Sequence, residues 1–147
     1  MKSPYSGKEM NLHSEIVTTE YRGETFSYVS HYYLDEDTGD EYTTTESDTE
    51  DLNQIYDQYR NRHSIPGADE ICRIRKRYGL SSSKMSKVLG FGPNQWRLYE
   101  SGEVPSLSNA RLISLAAHKN NMLELVEAAR NELPDYKKVY SKVSASE

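Results

Sequence analysis

The sequence predicts an α+β fold in which a small antiparallel β domain is followed by a linker helix and an all-α domain of five helices. Residues 1–46 are rich in β-branched and aromatic residues, whereas residues 68–132 repeat apolar residues at helical spacing. The turn signal Ile65-Pro66-Gly67 separates the two patterns. We therefore expect a β domain at 1–46, a linker helix and turn at 47–67, a helical domain at 68–132 and a poorly ordered C-terminal tail at 133–147.

Charge is distributed unevenly along the 147 residues. Residues 1–67 hold 5 Lys/Arg and 14 Asp/Glu, a net charge of −9, and the rest of the chain carries +4. Phosphate backbones attract the second half and repel the first, so the asymmetry indicates two modules with different partners. Attraction between the two halves is an alternative explanation.

Nothing in the sequence indicates export or membrane insertion. No run approaches the ~18 to 20 apolar residues of a membrane span, and the N-terminus lacks the basic-then-apolar pattern of a secretory signal. The single cysteine, Cys72, cannot form an internal disulfide. We expect a cytoplasmic protein without a membrane partner.

The first 45 residues have the pattern of a small sheet. The run 15–29 predicts a hairpin around the turn signal Arg22-Gly23. A second β-rich run, 31–34, leads into an acidic turn at 35–40, after which residues 41–45 can return as another strand. We expect three or four strands, and so small a sheet needs additional packing to be stable.

Capping and breaking residues mark the ends of the predicted helices. The linker helix starts near Ser47, and the fifth helix of the helical domain covers about 121–130. The other signals are Asp69 as the first N-cap, Gly79 as its C-cap, Ser81 and Gly90 around the second helix, Pro93 in the first turn of the third, and Pro105-Ser106 before the fourth.

The second and third of these helices have the spacing of a helix-turn-helix. A glycine, Gly90, stands where the backbone leaves the first helix of the pair. The residues expected to face inward and hold the angle are Leu80, Met85, Leu89, Phe91, Trp96 and Tyr99. From Leu80 to Gly102 this register resembles the Xre and phage-repressor type of helix-turn-helix, in which the second helix enters the major groove of double-stranded DNA.

That resemblance implies a set of DNA contacts. Asn94 is the leading base reader, because an amide can bond two edge atoms of adenine, and Gln95 is the second. Arg97 and Ser82 are expected at phosphates. Pro93 and Leu98 complete the predicted DNA-binding set. The sequence departs from the commoner family pattern by having Ser82 where glutamine is frequent and Ser86 where alanine is frequent.

The N-terminal segment Ser3-Pro4-Tyr5-Ser6-Gly7 resembles the Cys-Pro-x-Cys-Gly knuckle of a zinc ribbon with both cysteines replaced by serine. Asp35 and Thr38 fall where a second pair of ligands would stand. Because none of the four positions holds a thiolate, we expect no zinc and no other cofactor. The aromatic residues expected to replace the metal by packing are Tyr5, Tyr21, Phe26, Tyr28, Tyr32, Tyr33 and Tyr42.

With the linker helix and the helix-turn-helix, these features are similar to the MqsA or YgiT-type antitoxins. The resemblance implies a dimeric antitoxin and autorepressor, whose N-terminal domain binds a toxin and whose C-terminal domain binds the promoter of its own operon. Asn94 matches the base-reading asparagine of that family, but the family's arginine four residues later falls on Leu98, one place after Arg97.

Three functions follow from the sequence, and the antitoxin and repressor is the first. The second is a stand-alone helix-turn-helix regulator whose N-terminal domain senses a ligand or only assists folding. An enzyme is not expected, because the sequence has no glycine-rich phosphate loop, nucleophile elbow or paired-carboxylate motif. A homodimer is expected to form through the fourth and fifth helices, since Met122, Leu125 and Val126 exceed what a small bundle needs.

Overall fold

The computed structural model describes all 147 residues and has the α+β fold that the sequence predicts. The chain forms two compact units, Met1–Tyr59 and Arg60–Glu147. No helix combines the length and apolar character needed to cross a membrane. The elements are β1 Asn11–Tyr21, β2 Glu24–Leu34, β3 Glu41–Tyr42, α1 Thr45–His63, α2 Ala68–Tyr78, α3 Ser82–Leu89, α4 Gln95–Glu100, α5 Leu107–Ala116, α6 Lys119–Ala128, a 3₁₀ turn Arg130–Glu132, and α7 Tyr136–Ala145.

The first unit is built on a long hairpin. β1 and β2 pair antiparallel over their full length, from Asn11 opposite Leu34 to Tyr21 opposite Glu24. The hairpin turn predicted at Arg22-Gly23 is confirmed, and both residues have positive φ, 52° and 78°, as a two-residue turn of this twist requires. β3 adds only two residues to the other edge of β2, so the sheet has three strands.

The buried core of this unit consists of Met10, Phe26, Ile55 and Tyr59, so the predicted aromatic packing is confirmed only in part. Phe26 is buried, and Tyr21 lies 5.2 Å from Tyr59 and 5.4 Å from Tyr56 between ring centroids. Both partners of Tyr21 come from α1, which the sequence predicts only as a linker helix. The prediction for Tyr5 is wrong, because its side chain is 77% exposed.

Two glutamines of α1 close the edge of β2 that β3 leaves open. The Gln54 side chain accepts a hydrogen bond from the backbone N–H of Val29 at 3.0 Å and donates one to its carbonyl at 2.8 Å. Gln58 donates to the carbonyl of Ser27 at 2.8 Å. These bonds satisfy backbone groups that an uncovered strand edge would expose.

Most capping signals of the helical unit are confirmed. Ser81 accepts from the backbone N–H of Lys84 at 3.1 Å, and Gly79 and Gly90 end their helices at φ 67° and 77°. The side chain of Ser106 caps α5. Two predictions were wrong. The N-cap of α2 is Gly67, and Asp69 makes no side-chain cap. Helix α4 begins at Gln95, so Pro93 lies in the turn before it and not in its first turn.

The C-terminal segment is not the poorly ordered tail that the sequence predicts. Residues 136–145 form α7, and its Val139 and Val143 are buried. They belong to the same core cluster as Met122 and Val126 of α6. Met122 and Val126 are therefore buried within this chain and are not surplus surface residues, while the homodimer itself stays a prediction.

Replacing Val143 by alanine tests the contribution of α7 to stability. Loss of two buried methyl groups and the resulting cavity should lower the free energy of unfolding by about 2 kcal/mol, measured by urea denaturation. Ser141→Ala, on the exposed side of α7, is the matched control and should change it by less than about 0.5 kcal/mol. Equal stability of Val143→Ala and the wild type would show that α7 does not contribute to the core.

Candidate nucleic-acid interface

The helices α3 and α4 are joined by the short segment 90–94, Gly90-Phe91-Gly92-Pro93-Asn94. Backbone bonds close the end of α3, including one from the Phe91 N–H to the Ser86 carbonyl at 2.8 Å. Ser86 is fully buried, and its hydroxyl accepts the backbone N–H of Trp96 at 3.0 Å. Ser86 thus satisfies a donor in the first turn of α4, where a helix lacks partners of its own.

The carboxylate of Glu100 connects α4 to two other helices. Arg75 of α2 donates to both of its oxygens, at 2.6 and 3.3 Å. Trp96 donates its indole N–H at 3.1 Å, and Ser82 of α3 lies at hydrogen-bond distance, 3.5 Å. Sequence reasoning missed the pairing of Arg75 with Glu100, because no local spacing rule relates residues so far apart in the chain.

Burial and hydrogen bonding oppose each other at Glu100. Burial favours the neutral acid, but the donors of Arg75 and Trp96 outweigh it, so the pKa of Glu100 is lowered from its usual value of 4.5. The same ion pair raises the pKa of Arg75. Glu100 is therefore ionised at neutral pH and fixes the orientation of α4.

The loop that follows α4 is also held in place. Arg60 donates to the carbonyl of Gly102 at 2.8 Å. Asn109 of α5 donates to the hydroxyl of Tyr99, which is buried on the inner side of α4. These bonds fix both the end of α4 and the residues immediately after it.

The predicted DNA-binding residues lie around the outer side and the start of α4. Asn94 and Arg97 are exposed, and the Asn94 side chain makes no capping bond. Pro93 and Leu98 are also exposed, Leu98 by 39%. Together they present an amide, a guanidinium and two apolar side chains on one outward surface.

The other two predicted residues have partners inside the protein. Gln95 is half-buried, and one N–H of its side-chain amide donates to Glu103 at 2.8 Å. Ser82 is half-buried beside Glu100 at the start of α3. Its hydroxyl lies in the first turn of α3 and contacts the carboxylate that also binds Arg75 of α2.

The four positions that resemble zinc ligands fall into two pairs. Ser3 and Asp35 are buried and joined by a short hydrogen bond from the serine hydroxyl to the carboxylate, whereas Ser6 and Thr38 are exposed. No group of three or more His, Cys, Asp or Glu side chains is arranged to hold a metal ion. The residues present therefore do not fit a zinc site, whose ligands are mainly thiolates and imidazoles.

Both turns nevertheless have the same internal hydrogen bonding. Ser3 Oγ accepts the N–H groups two and three residues later, at 3.2 and 3.3 Å, and Asp35 Oδ1 does the same at 3.0 and 3.4 Å. The hydrogen bond from Ser3, aided by those from the backbone, lowers the pKa of Asp35. A charged hydrogen bond thus links the two turns directly.

Comparison with known proteins assigns no family to this chain. No family model matches the sequence. No curated protein matches it significantly. The functional argument therefore depends on the geometry and chemistry of the site.

Replacing Glu100 by glutamine tests the ion pair. The variant should lose about 2 kcal/mol of unfolding free energy at pH 7, because the half-buried Arg75 then lacks its charged partner. A carboxyl whose pKa is lowered in the folded protein stabilises the fold at pH values above its pKa in the unfolded chain, which is 4.5. The difference between variant and wild type should accordingly be complete at neutral pH and disappear as the pH falls through the lower pKa of the folded protein.

Urea denaturation at a series of pH values measures this difference. Glu124→Gln, an exposed carboxylate on α6, is the matched control and should remain within about 0.5 kcal/mol of the wild type at each pH. A loss in Glu100→Gln that does not change with pH would contradict the role of the ionised carboxylate.

Proposed function

We propose that this chain is a sequence-specific DNA-binding transcriptional regulator that reads DNA with α4. The observation that carries the proposal is the division of α4 into two sides. Trp96 and Tyr99 are buried and fastened to neighbouring helices, whereas Asn94 and Arg97 are exposed. A short helix that is held rigidly and presents an amide and a guanidinium outward suits insertion into the major groove.

Each exposed group has a proposed role. Asn94 contacts adenine and Arg97 a phosphate, while Pro93 and Leu98 offer apolar contact to the groove. Gln95 offers its amide oxygen as an acceptor to a base, since its amide group donates to Glu103. Ser82 lies in the first turn of α3, where backbone N–H groups and the helix dipole favour phosphate.

The finer architecture is part of the proposal. We assign α2–α6 to the five helices of an Xre-type domain and treat α7 as an addition to it. A homodimer on two half-sites of the protein's own promoter is the proposed binding form. Leu115 of α5, which is 55% exposed, is a candidate for its interface.

Alanine substitutions separate base reading from phosphate binding. Asn94→Ala should cost ~1 to 3 kcal/mol on the promoter and relax the preference at one base pair. Arg97→Ala should weaken binding to all sequences similarly and reduce the salt slope by about one. Fluorescence anisotropy with a promoter duplex and a scrambled duplex over a salt series measures both effects.

The exposed Arg130→Ala is the control for loss of an arginine outside the site, since Arg130 follows α6. It should bind the promoter as the wild type does. Unchanged binding by both Asn94→Ala and Arg97→Ala would refute the proposed interface.

A second observation favours the antitoxin form of this regulator over the stand-alone form. The outer face of the hairpin exposes Ile16 by 78%, Leu12 by 56% and Val29 by 42%, and Ile16 lies opposite Val29. Uncovered apolar side chains in a unit of strongly negative charge suit a basic protein partner. We propose that this face binds a toxin encoded beside this gene.

Replacing Ile16 by lysine tests this partner surface. A charge in the middle of an apolar contact should weaken binding of the neighbouring gene's product at least about tenfold, measured by calorimetry with the two purified proteins. Asn53→Lys, on the exposed side of α1, adds the same charge away from the face and should bind as the wild type does. Equal affinity of both variants would refute this face as the partner surface, whereas no binding by the wild type would favour the stand-alone regulator.

A further inference from the structure

Three lysines from distant parts of the sequence surround one small cleft in the helical unit. Lys84 comes from α3, and Lys138 and Lys142 come from α7. The cleft has a volume of about 150 Å³ and is also lined by Gly79 and Ser81, which immediately precede α3. The cleft therefore exists only because the C-terminal segment forms a helix and packs beside the start of α3.

Hydrogen bonds hold two of these lysines at the cleft. Lys142 donates to the carbonyl of Gly79 at 3.2 Å, and Lys84 pairs with Asp135 at 2.6 Å. Asp135 is the one acidic residue that lines the cleft. The three lysines and this aspartate therefore give the cleft a net charge of about +2. The hydrogen bond from Lys84, with a smaller contribution from the charge of Lys138, lowers the pKa of Asp135.

The helical spacing of α7 fixes the row of lysines. Lys138 and Lys142 are four residues apart, and each precedes one of the buried valines, Val139 and Val143. Residues four apart lie on the same side of a helix, one turn from each other. Burial of the valines therefore holds both lysines on the side that borders the start of α3.

The chemistry of the cleft suits phosphate. Its charged groups are ammonium ions, which bind as point charges and carry no planar donor pair for reading a base. The Ser81 cap and the first turn of α3 add the positive end of a helix dipole beside them. In a helix-turn-helix, the first helix of the pair crosses the DNA backbone.

We propose that Lys84, Lys138 and Lys142 form a clamp for the phosphate backbone of duplex DNA, so that α7 extends the DNA interface beyond α4. This inference rests on the proposed DNA-binding function and goes beyond its predicted contacts, none of which lies on α7. The clamp supplies affinity and salt dependence, whereas the choice of sequence stays with α4.

The double variant Lys138→Gln/Lys142→Gln tests the clamp. It should bind the promoter duplex about tenfold more weakly at moderate salt, and the slope of log K against log salt should be less steep by about two, because two phosphate contacts are lost. The affinity ratio between promoter and scrambled duplex should stay unchanged, since these lysines read no base. Lys137→Gln, exposed on the same helix but outside the cleft, is the matched control and should bind as the wild type does.

Thermal unfolding of each variant shows whether the fold is retained. If the double variant is unfolded, Lys138→Gln alone keeps the bond between Lys142 and Gly79 and should lower the salt slope by about one. A folded lysine variant with wild-type affinity and slope, in a protein whose Asn94→Ala variant loses promoter preference, overturns the clamp and leaves the proposed function standing. A wild type that binds neither duplex overturns both.

Discussion

Donors from three helices converge on the carboxylate of Glu100. Its surroundings are half-buried, so these hydrogen bonds are stronger than they would be in water. Without the carboxylate, the indole N–H of Trp96 would lose its acceptor, and Arg75 would keep only its bonds to Leu80 and Cys72. The angle between α3 and α4 is held by this group together with the apolar core, in which Trp96 and Tyr99 of α4 are buried. The directions of Asn94 and Arg97 depend on that angle.

The C-terminal helix has two consequences that come from one periodicity. Val139 and Val143 belong to the core cluster that also contains Met122 and Val126 of α6. These two side chains are fully buried, although they exceed what the predicted five-helix bundle needs. The same four-residue spacing, shifted by one position, aligns Lys138 and Lys142. Stability and charge placement are thus coupled, because a change that unseats the valines also removes the lysines from the start of α3.

Local signals were predictable from the sequence, and long-range pairings were not. Ser81, Gly79 and the Arg22-Gly23 turn act through their own backbone, so residue type alone indicates their positions. Glu100 depends on partners 18 and 25 residues away, which no spacing rule connects. In α7, Val139 and Val143 are four residues apart, but they stand among charged and polar residues, so the sequence does not indicate a buried helix face. Their burial depends on packing against α6, which is distant in sequence.

The two N-terminal turns are joined by a hydrogen bond between a hydroxyl and a carboxylate. Ser3 and Asp35 organise the backbone N–H groups of their own turns, and the bond between them joins the turns without any further ligand. Such a linkage does not depend on metal supply or on thiol oxidation, but it requires that Asp35 remain ionised. Because its pKa is lowered, the contribution of this linkage to stability is present above the usual pKa of an aspartate and is lost only as the pH falls through the lower folded value.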